Sequence, residues 1–223
     1  FVAADALAEL LESEYELAAP VSCQLFSKLL RTQDNDHYLV NTGNGEKFVV
    51  RVYQSGKHLE RQESDYLWEL DWLLFLHNNG LPVSYPLPRK NGSHLGSLLA
   101  PEGIRYYALF TLSEGEALTV TNEEQLFICG QQMARIHKAS NAFESDHHRQ
   151  AMNLEYLVDK SVARVKEFWG DSHSADMEIL LMSAAEAKDE ILALINNEYH
   201  TPDSWGPIGG DFHSSSVYFN GSN

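Results

Sequence analysis

The stretch WGPIGGDFHSSSVYFNGSN, residues 205–223, says more about the fold than any other part of the chain. Pro207, Gly209 and Gly210 impose a tight loop leading to Asp211, because glycine adopts backbone angles closed to other residues. Val217-Tyr218-Phe219 then reads as a short strand, and Asn220-Gly221 is a favoured pair for a type I′ hairpin turn. The turn has no returning strand in the sequence as given, and the first residue is Phe1 rather than Met, so the expectation is a piece of a longer protein.

Working upstream, three segments carry helical apolar stripes with acidic first turns: residues 122–140, 153–169 and 174–199. Before residue 113 the pattern is different. CQLFSKLL, HYLVNT and KFVVRVYQ alternate or cluster apolar and aromatic residues between the breakers TQDND and GNGE, which predicts an antiparallel meander. ERQESDYLWELDWLLFLHN predicts one long helix closed by Asn79-Gly80, and SHLGSLLA and RYYALFTL add two strands. A further helix is expected over residues 1–17, ended by Ala19-Pro20. The fold class is therefore α+β in two lobes: 1–112, with a five-stranded sheet and one long helix after the N-terminal one, and 113–223, mainly helical.

The chain has 223 residues, 43% of them hydrophobic, enough for a substantial core. Sixteen Lys and Arg against thirty-two Asp and Glu give a net charge of -16, which repels nucleic acid and anionic membranes and suits a neutral or cationic small molecule. The acidity also serves solubility alone. Cys23 and Cys129 lack metal-ligand spacing and suggest no disulfide framework, which fits a reducing cytoplasmic setting. No apolar run reaches the roughly 18 residues of a membrane-spanning helix. His147 and His148 sit in a polar loop and read as solvated surface.

No P-loop, dinucleotide fingerprint, H-E-x-x-H or G-x-S-x-G is present. What the sequence offers instead is a strand cation, a helix carboxylate, a linker and a loop aspartate, in that order. IGGDFHSSSVYF resembles the catalytic loop H-G-D-x-H-x-x-N of the aminoglycoside phosphotransferase, homoserine kinase and choline kinase families, with Asp211 at the catalytic aspartate and His213 at the second histidine. DNDHYLV, KFVVRVY, WELDWLLFLHNNGLPVSYPLP, RYYALFTLSEGEAL and GQQMARIHKAS resemble further segments of these families in the same order. The likeness runs from about residue 20 to the last residue.

The resemblance implies a protein-kinase-like fold, ATP with Mg2+, and transfer of the terminal phosphate to a hydroxyl of a small molecule. It also implies roles. Arg51 would hold the nucleotide phosphates; the plain alternative is an exposed strand arginine. Glu69 would pair with Arg51, with Glu63 as rival, and the distance from Glu69 to Gly80-Leu81-Pro82-Val83 favours Glu69. Leu109, Phe110 and Leu112 would form the adenine slot, or simply core. Asn35, with Asp34, would close over the phosphates or only make a turn. Asp211 would orient the acceptor hydroxyl and accept its proton.

Two positions depart from the pattern: Gly209 replaces the first histidine, and Ser216 replaces the metal-binding asparagine with a shorter oxygen ligand. A second metal-binding aspartate is expected beyond Asn223. A kinase-like protein that binds nucleotide without transferring phosphate, and a pure interaction module, are the competing readings. Acceptor identity and oligomeric state stay open at this level.

Overall fold

Polar and apolar positions alternate along the strands, and that alternation builds the N-terminal half of the molecule. The computed structural model describes residues 2–26, 35–54, 61–195, 204–210 and 212–220. Strands β1 (Ser22–Leu25), β2 (Asp36–Asn41) and β3 (Lys47–Val52) form the expected antiparallel meander. Strands β4 (Gly96–Ala100) and β5 (Gly103–Thr111) complete a five-stranded sheet of order β1-β2-β3-β5-β4. β5 lies beside β3, with Val50 opposite Leu109 and Arg51 opposite Ala108. Gly96 is required by its neighbour: a Cβ there would fall 2.2 Å from the Tyr107 ring.

Side chains one residue apart point to opposite sheet faces. One face collects Tyr38, Val40, Val50, Val52, Tyr107 and Leu109, which bury against Leu7 and Leu11 of helix α1 (Ala4–Glu14) and against Tyr15. The Tyr38 hydroxyl donates to the Val2 carbonyl (2.7 Å) and accepts from the Val2 N–H (3.0 Å), tying the N-terminus to β2. The other face meets helix α2 (Glu63–Asn78), where Tyr66 and Leu70 pack with Tyr53, Ala108 and Phe110. Burying a side chain such as Leu70 contributes about 1.5–3 kcal/mol. α2 starts with Asp65 Oδ2 accepting the Gln62 N–H at 2.8 Å, which satisfies a donor the first helical turn leaves open.

Helix α3 (Glu123–Ser140) is capped by Asn122, whose Oδ1 accepts the Gln125 N–H at 3.1 Å. It packs on α2 through Ile136 and Ala139 against Trp72, Leu76 and Leu81, and the Trp72 indole N–H donates to Ser140 Oγ at 2.9 Å. Two short strands, β6 (Glu116–Ala117) and β7 (Tyr218–Phe219), pair antiparallel. The strand read at Val217-Tyr218-Phe219 thus finds its partner at Glu116–Ala117; Gly221, the second half of the expected turn, lies outside the described residues.

By packing, the chain divides into Phe1–Arg149 with Ile208–Asn223, and Gln150–Pro207. Within the second unit a π-helical turn (Glu155–Asp159) leads into α4 (Lys160–Trp169), and a 3-10 turn precedes α5 (Ser174–Leu194). Lys188 on α5 lies 2.7 Å from both carboxylate oxygens of Asp159. Among the described residues no helix is long and apolar enough to cross a membrane.

Candidate functional site

Arg51 follows from the strand pattern: with Val50 and Val52 committed to the α1 face, its side chain emerges on the α2 face. There its Nη1 donates to Glu69 Oε1 at 2.7 Å, and its Nε donates to His37 Nε2 at 3.3 Å. The guanidinium carbon lies 4.8 Å from the Phe110 ring centre and 5.7 Å from that of Tyr53, so aromatic faces back the cation. Glu63, the rival carboxylate, accepts instead from the Tyr106 hydroxyl at 3.3 Å.

Glu69 carries a second ion pair, which nothing in the sequence pattern announced. Arg149 Nη1 donates to Glu69 Oε2 at 2.9 Å, and its guanidinium lies 5.7 Å from the Trp68 ring centre. The Glu69 side chain is only 16% exposed. Burial by itself would raise its pKa, but Arg51 and then Arg149 outweigh that and hold it below the usual carboxylate value. Burial pushes the Tyr53 hydroxyl up, so it stays a neutral phenol beside the cation.

Arg51, His37, Val49 and Phe110 form one wall of a cavity of about 570 Å³, within the usual range for small-molecule sites. Thr111, Leu112 and Ser113 line it beside Pro82, Val83 and Ser84, and α3 contributes Ile128, Cys129, Gln132 and Ile136, a helical stripe. Phe212, Ser216, Val217, Tyr218 and Phe219 bring the loop-and-strand segment to the same space. Burial raises the pKa of the Cys129 thiol, which keeps it a packing residue rather than a nucleophile. Several linker groups are already engaged: Leu109 O accepts from Leu87 N (2.8 Å), Thr111 N donates to Tyr85 O (3.1 Å), and Thr111 O accepts from Ser84 Oγ (2.7 Å).

The other residues singled out from the sequence are placed as follows. Phe110 and Leu112 line the cavity, whereas the Leu109 side chain faces α1, because it alternates with Phe110 along β5. Asn35 Oδ1 accepts from the Gln54 N–H at 2.9 Å, bridging the start of β2 to the residues after β3, and Asn35 does not line the cavity. Asp34 and Asp211 lie outside the described residues. Ser216 Oγ donates to the His213 carbonyl at 2.8 Å and accepts from the His213 N–H at 3.1 Å, closing the turn His213–Ser216.

Cavity and cation fit a nucleotide: an apolar wall of Phe110, Val49 and Leu112 suits a base, and a fixed guanidinium suits phosphate. For magnesium the described residues do not suffice, since among them no group of three or more His, Cys, Asp or Glu could hold a metal. Ser216 brings one hydroxyl, short of the one or two carboxylates that magnesium ordinarily takes besides phosphate oxygens.

Sequence reasoning also missed His37 and the α3 stripe. His37 stands opposite Arg51 in the β2–β3 register, which the short turn at 42–46 could have disclosed, and the spacing of 128, 129, 132 and 136 marks a single helix face.

Comparisons with known proteins agree with this architecture. An uncharacterized protein of Synechocystis sp. is 31% identical over 219 residues, 98% of this chain and 57% of its own length. A homoserine kinase of Rhizobium etli is 28% identical over 180 residues, covering 79% of this chain and 52% of that enzyme. The chain therefore spans little more than half the length of the curated relatives it matches. Among solved structures, an amicoumacin kinase in complex with AMP-PNP and Ca2+ superposes with a TM-score of 0.68 at 15% identity, over 97% of this chain and 60% of that one. A microcompartment-associated aminopropanol kinase gives 0.57 at 20% identity, over 70% and 47%. At those identities the likeness is one of fold, α+β with a five-stranded N-terminal sheet and a helical C-terminal part. The sequence pattern of the phosphotransferase enzyme family (APH) matches residues 26–222, and with so much of its length matched, the chain belongs to that family.

Proposed function

We propose that this chain binds ATP in the cavity bordered by β3, β5 and α3, and that the full-length protein moves the terminal phosphate of ATP to a hydroxyl of a small molecule. The observation that carries the reading is Arg51, a cation on the cavity wall held at 2.7 Å by Glu69 behind it. Glu69 fixes the guanidinium, so a phosphate meets a positioned charge. Phe110 and Leu112 would contact the base, with the main chain at Leu112 and Ser113 as the next groups able to bond its edge, since those at Leu109 and Thr111 have protein partners. Asn35 would act indirectly, by tying the residue before β2 to Gln54 after β3. Asp211 would orient the acceptor hydroxyl and take its proton, the role its motif resemblance implies.

Magnesium, when bound, would neutralise phosphate charge, and Ser216 would offer it one oxygen. With a lobe boundary at Leu112–Ser113, between residues 1–112 and 113–223, the base would sit at the junction of the lobes; the division by packing falls elsewhere, at 149/150 and 207/208. The acceptor is a hydroxyl-bearing small molecule, and the net charge of -16 favours a neutral or cationic one over an acidic one. An enzyme without nucleic-acid or anionic-membrane partners fits the same charge, and the two cysteines without disulfide or metal spacing fit a cytoplasmic setting.

Calorimetric titration of the chain with ATP tests the reading. Binding that weakens about tenfold or more in Arg51→Met is expected, the scale of one lost charge-assisted contact; an absence of heat with the wild-type chain would end the nucleotide assignment. One observation favours a second reading, nucleotide binding without transfer: the Ser216 hydroxyl is engaged by His213, donating to its carbonyl and accepting from its N–H. A phosphate-transfer assay on the full-length protein separates the two.

A further inference from the structure

The carboxylate of Glu69 has two oxygens, and they go to different cations. Oε1 takes Arg51 at 2.7 Å, and Oε2 takes Arg149 at 2.9 Å. We propose that Arg149 is a positioning residue for Arg51: by occupying Oε2 it fixes the plane of the Glu69 carboxylate, so that Oε1 alone faces the phosphate-holding guanidinium. This rests on the nucleotide reading given above. Arg149 is not part of the cavity lining, so it acts through Glu69 rather than on a ligand.

Arg149 is itself held in place. Its guanidinium lies by the Trp68 ring, and Nη1 also reaches the Asp65 carbonyl at 3.4 Å. The loop that carries it is fastened to α2 at two further points, Ser145 Oγ to Asp71 Oδ2 at 2.6 Å and His148 N–H to Ser64 Oγ at 2.7 Å. Those bonds should keep the loop docked when the Arg149 side chain is changed, which makes the side chain testable by itself. Both polar contacts run through Nη1, so a lysine ammonium could replace the charge there.

Removing Arg149 leaves a buried carboxylate oxygen without its cation. Glu69 would then be faced by Arg51 from β3, by Arg61 ahead of α2, by the Tyr53 and Tyr66 hydroxyls, and by Asp65 on its own helix. Burial favours the protonated acid, and one of the two cations that chiefly oppose it would be gone. Protonated Glu69 no longer attracts Arg51, so nucleotide binding should become sensitive to acid.

The test is ATP affinity of the full-length protein, measured by calorimetry at about pH 7 and pH 5, for wild type, R149M, R149K and R51M. The ratio of wild type to variant cancels the nucleotide's own titration. R149M should bind about tenfold more weakly at the higher pH, with a larger ratio at the lower one. R149K should recover to within about threefold of wild type at both. R149M within about twofold of wild type at both pH values, with binding lost in R51M, would overturn the positioning role. A ratio that is raised but independent of pH would overturn it too, because a general loosening of the loop predicts that. If R51M also binds normally, the nucleotide reading fails instead. Should R149M not fold, R149Q takes its place with the same outcomes.

Discussion

Replacing Glu69 by Gln keeps the shape of the side chain and removes the charge that Arg51 and Arg149 share. The contacts at stake measure 2.7 and 2.9 Å, and the side chains are 16%, 28% and 33% exposed for Glu69, Arg51 and Arg149. A hydrogen bond to a charged partner contributes about 1.5–3 kcal/mol net. Gln retains one acceptor, and solvent reaches part of both guanidiniums, so the expected cost at neutral pH is about 2–3 kcal/mol. The folded-state pKa of Glu69 is lowered, so its contribution is present above the unfolded carboxylate value, about 4.3, and is lost as pH falls through the lower folded value. Urea unfolding followed by tryptophan fluorescence reads this directly, because Trp68 and Trp72 lie on the same helix as Glu69. The gap between wild type and E69Q should narrow as pH drops below about 4. A gap under about 0.5 kcal/mol at pH 7, or one of equal size at acid pH, would refute the electrostatic account of this pair.

Trp72→Phe removes the indole bond to Ser140 that joins α2 to α3 and should cost about 1 kcal/mol, read as a shift of the urea midpoint with unchanged slope. Gly115 has φ +111, and a Cβ there would lie 2.2 Å from the Phe219 carbonyl oxygen. Gly115→Ala should therefore displace the β6–β7 pair and speed amide exchange at Phe219, at a cost of about 1–3 kcal/mol; unaltered exchange would show that the strands tolerate the shift. Asp211→Asn in the full-length protein should lower turnover by about 10²–10⁴-fold while leaving ATP affinity nearly intact, and unchanged turnover would remove Asp211 from the chemistry.

The strands and long helices could be read from the sequence because each follows a local rule. Val50 and Val52 sit on one face and Arg51 on the other by alternation, and the five strands fall where apolar runs end at Gly, Asn or Asp. The choice of Glu69 over Glu63 rested on spacing to Gly80, and the two carboxylates do take different partners, Arg51 and Tyr106. Arg149 could not be found that way. It sits in a loop with no periodicity, and the carboxylate it serves lies 80 residues away. The same holds for β6, a two-residue strand whose partner comes from the far end of the chain. The π-helical turn before α4 looks like ordinary helix in the sequence, since one extra residue in a turn leaves the apolar stripe almost unaltered.

The guanidinium of Arg51, seated against Phe110 and Tyr53 and tied to Glu69 and His37, has little freedom left to lose. A long cationic side chain on an open surface gives up as much as about 2 kcal/mol of rotational freedom when a ligand immobilises it. Here that freezing is completed when the sheet and α2 come together, so an arriving anion would meet a charge already at rest and gain more of the raw attraction as affinity.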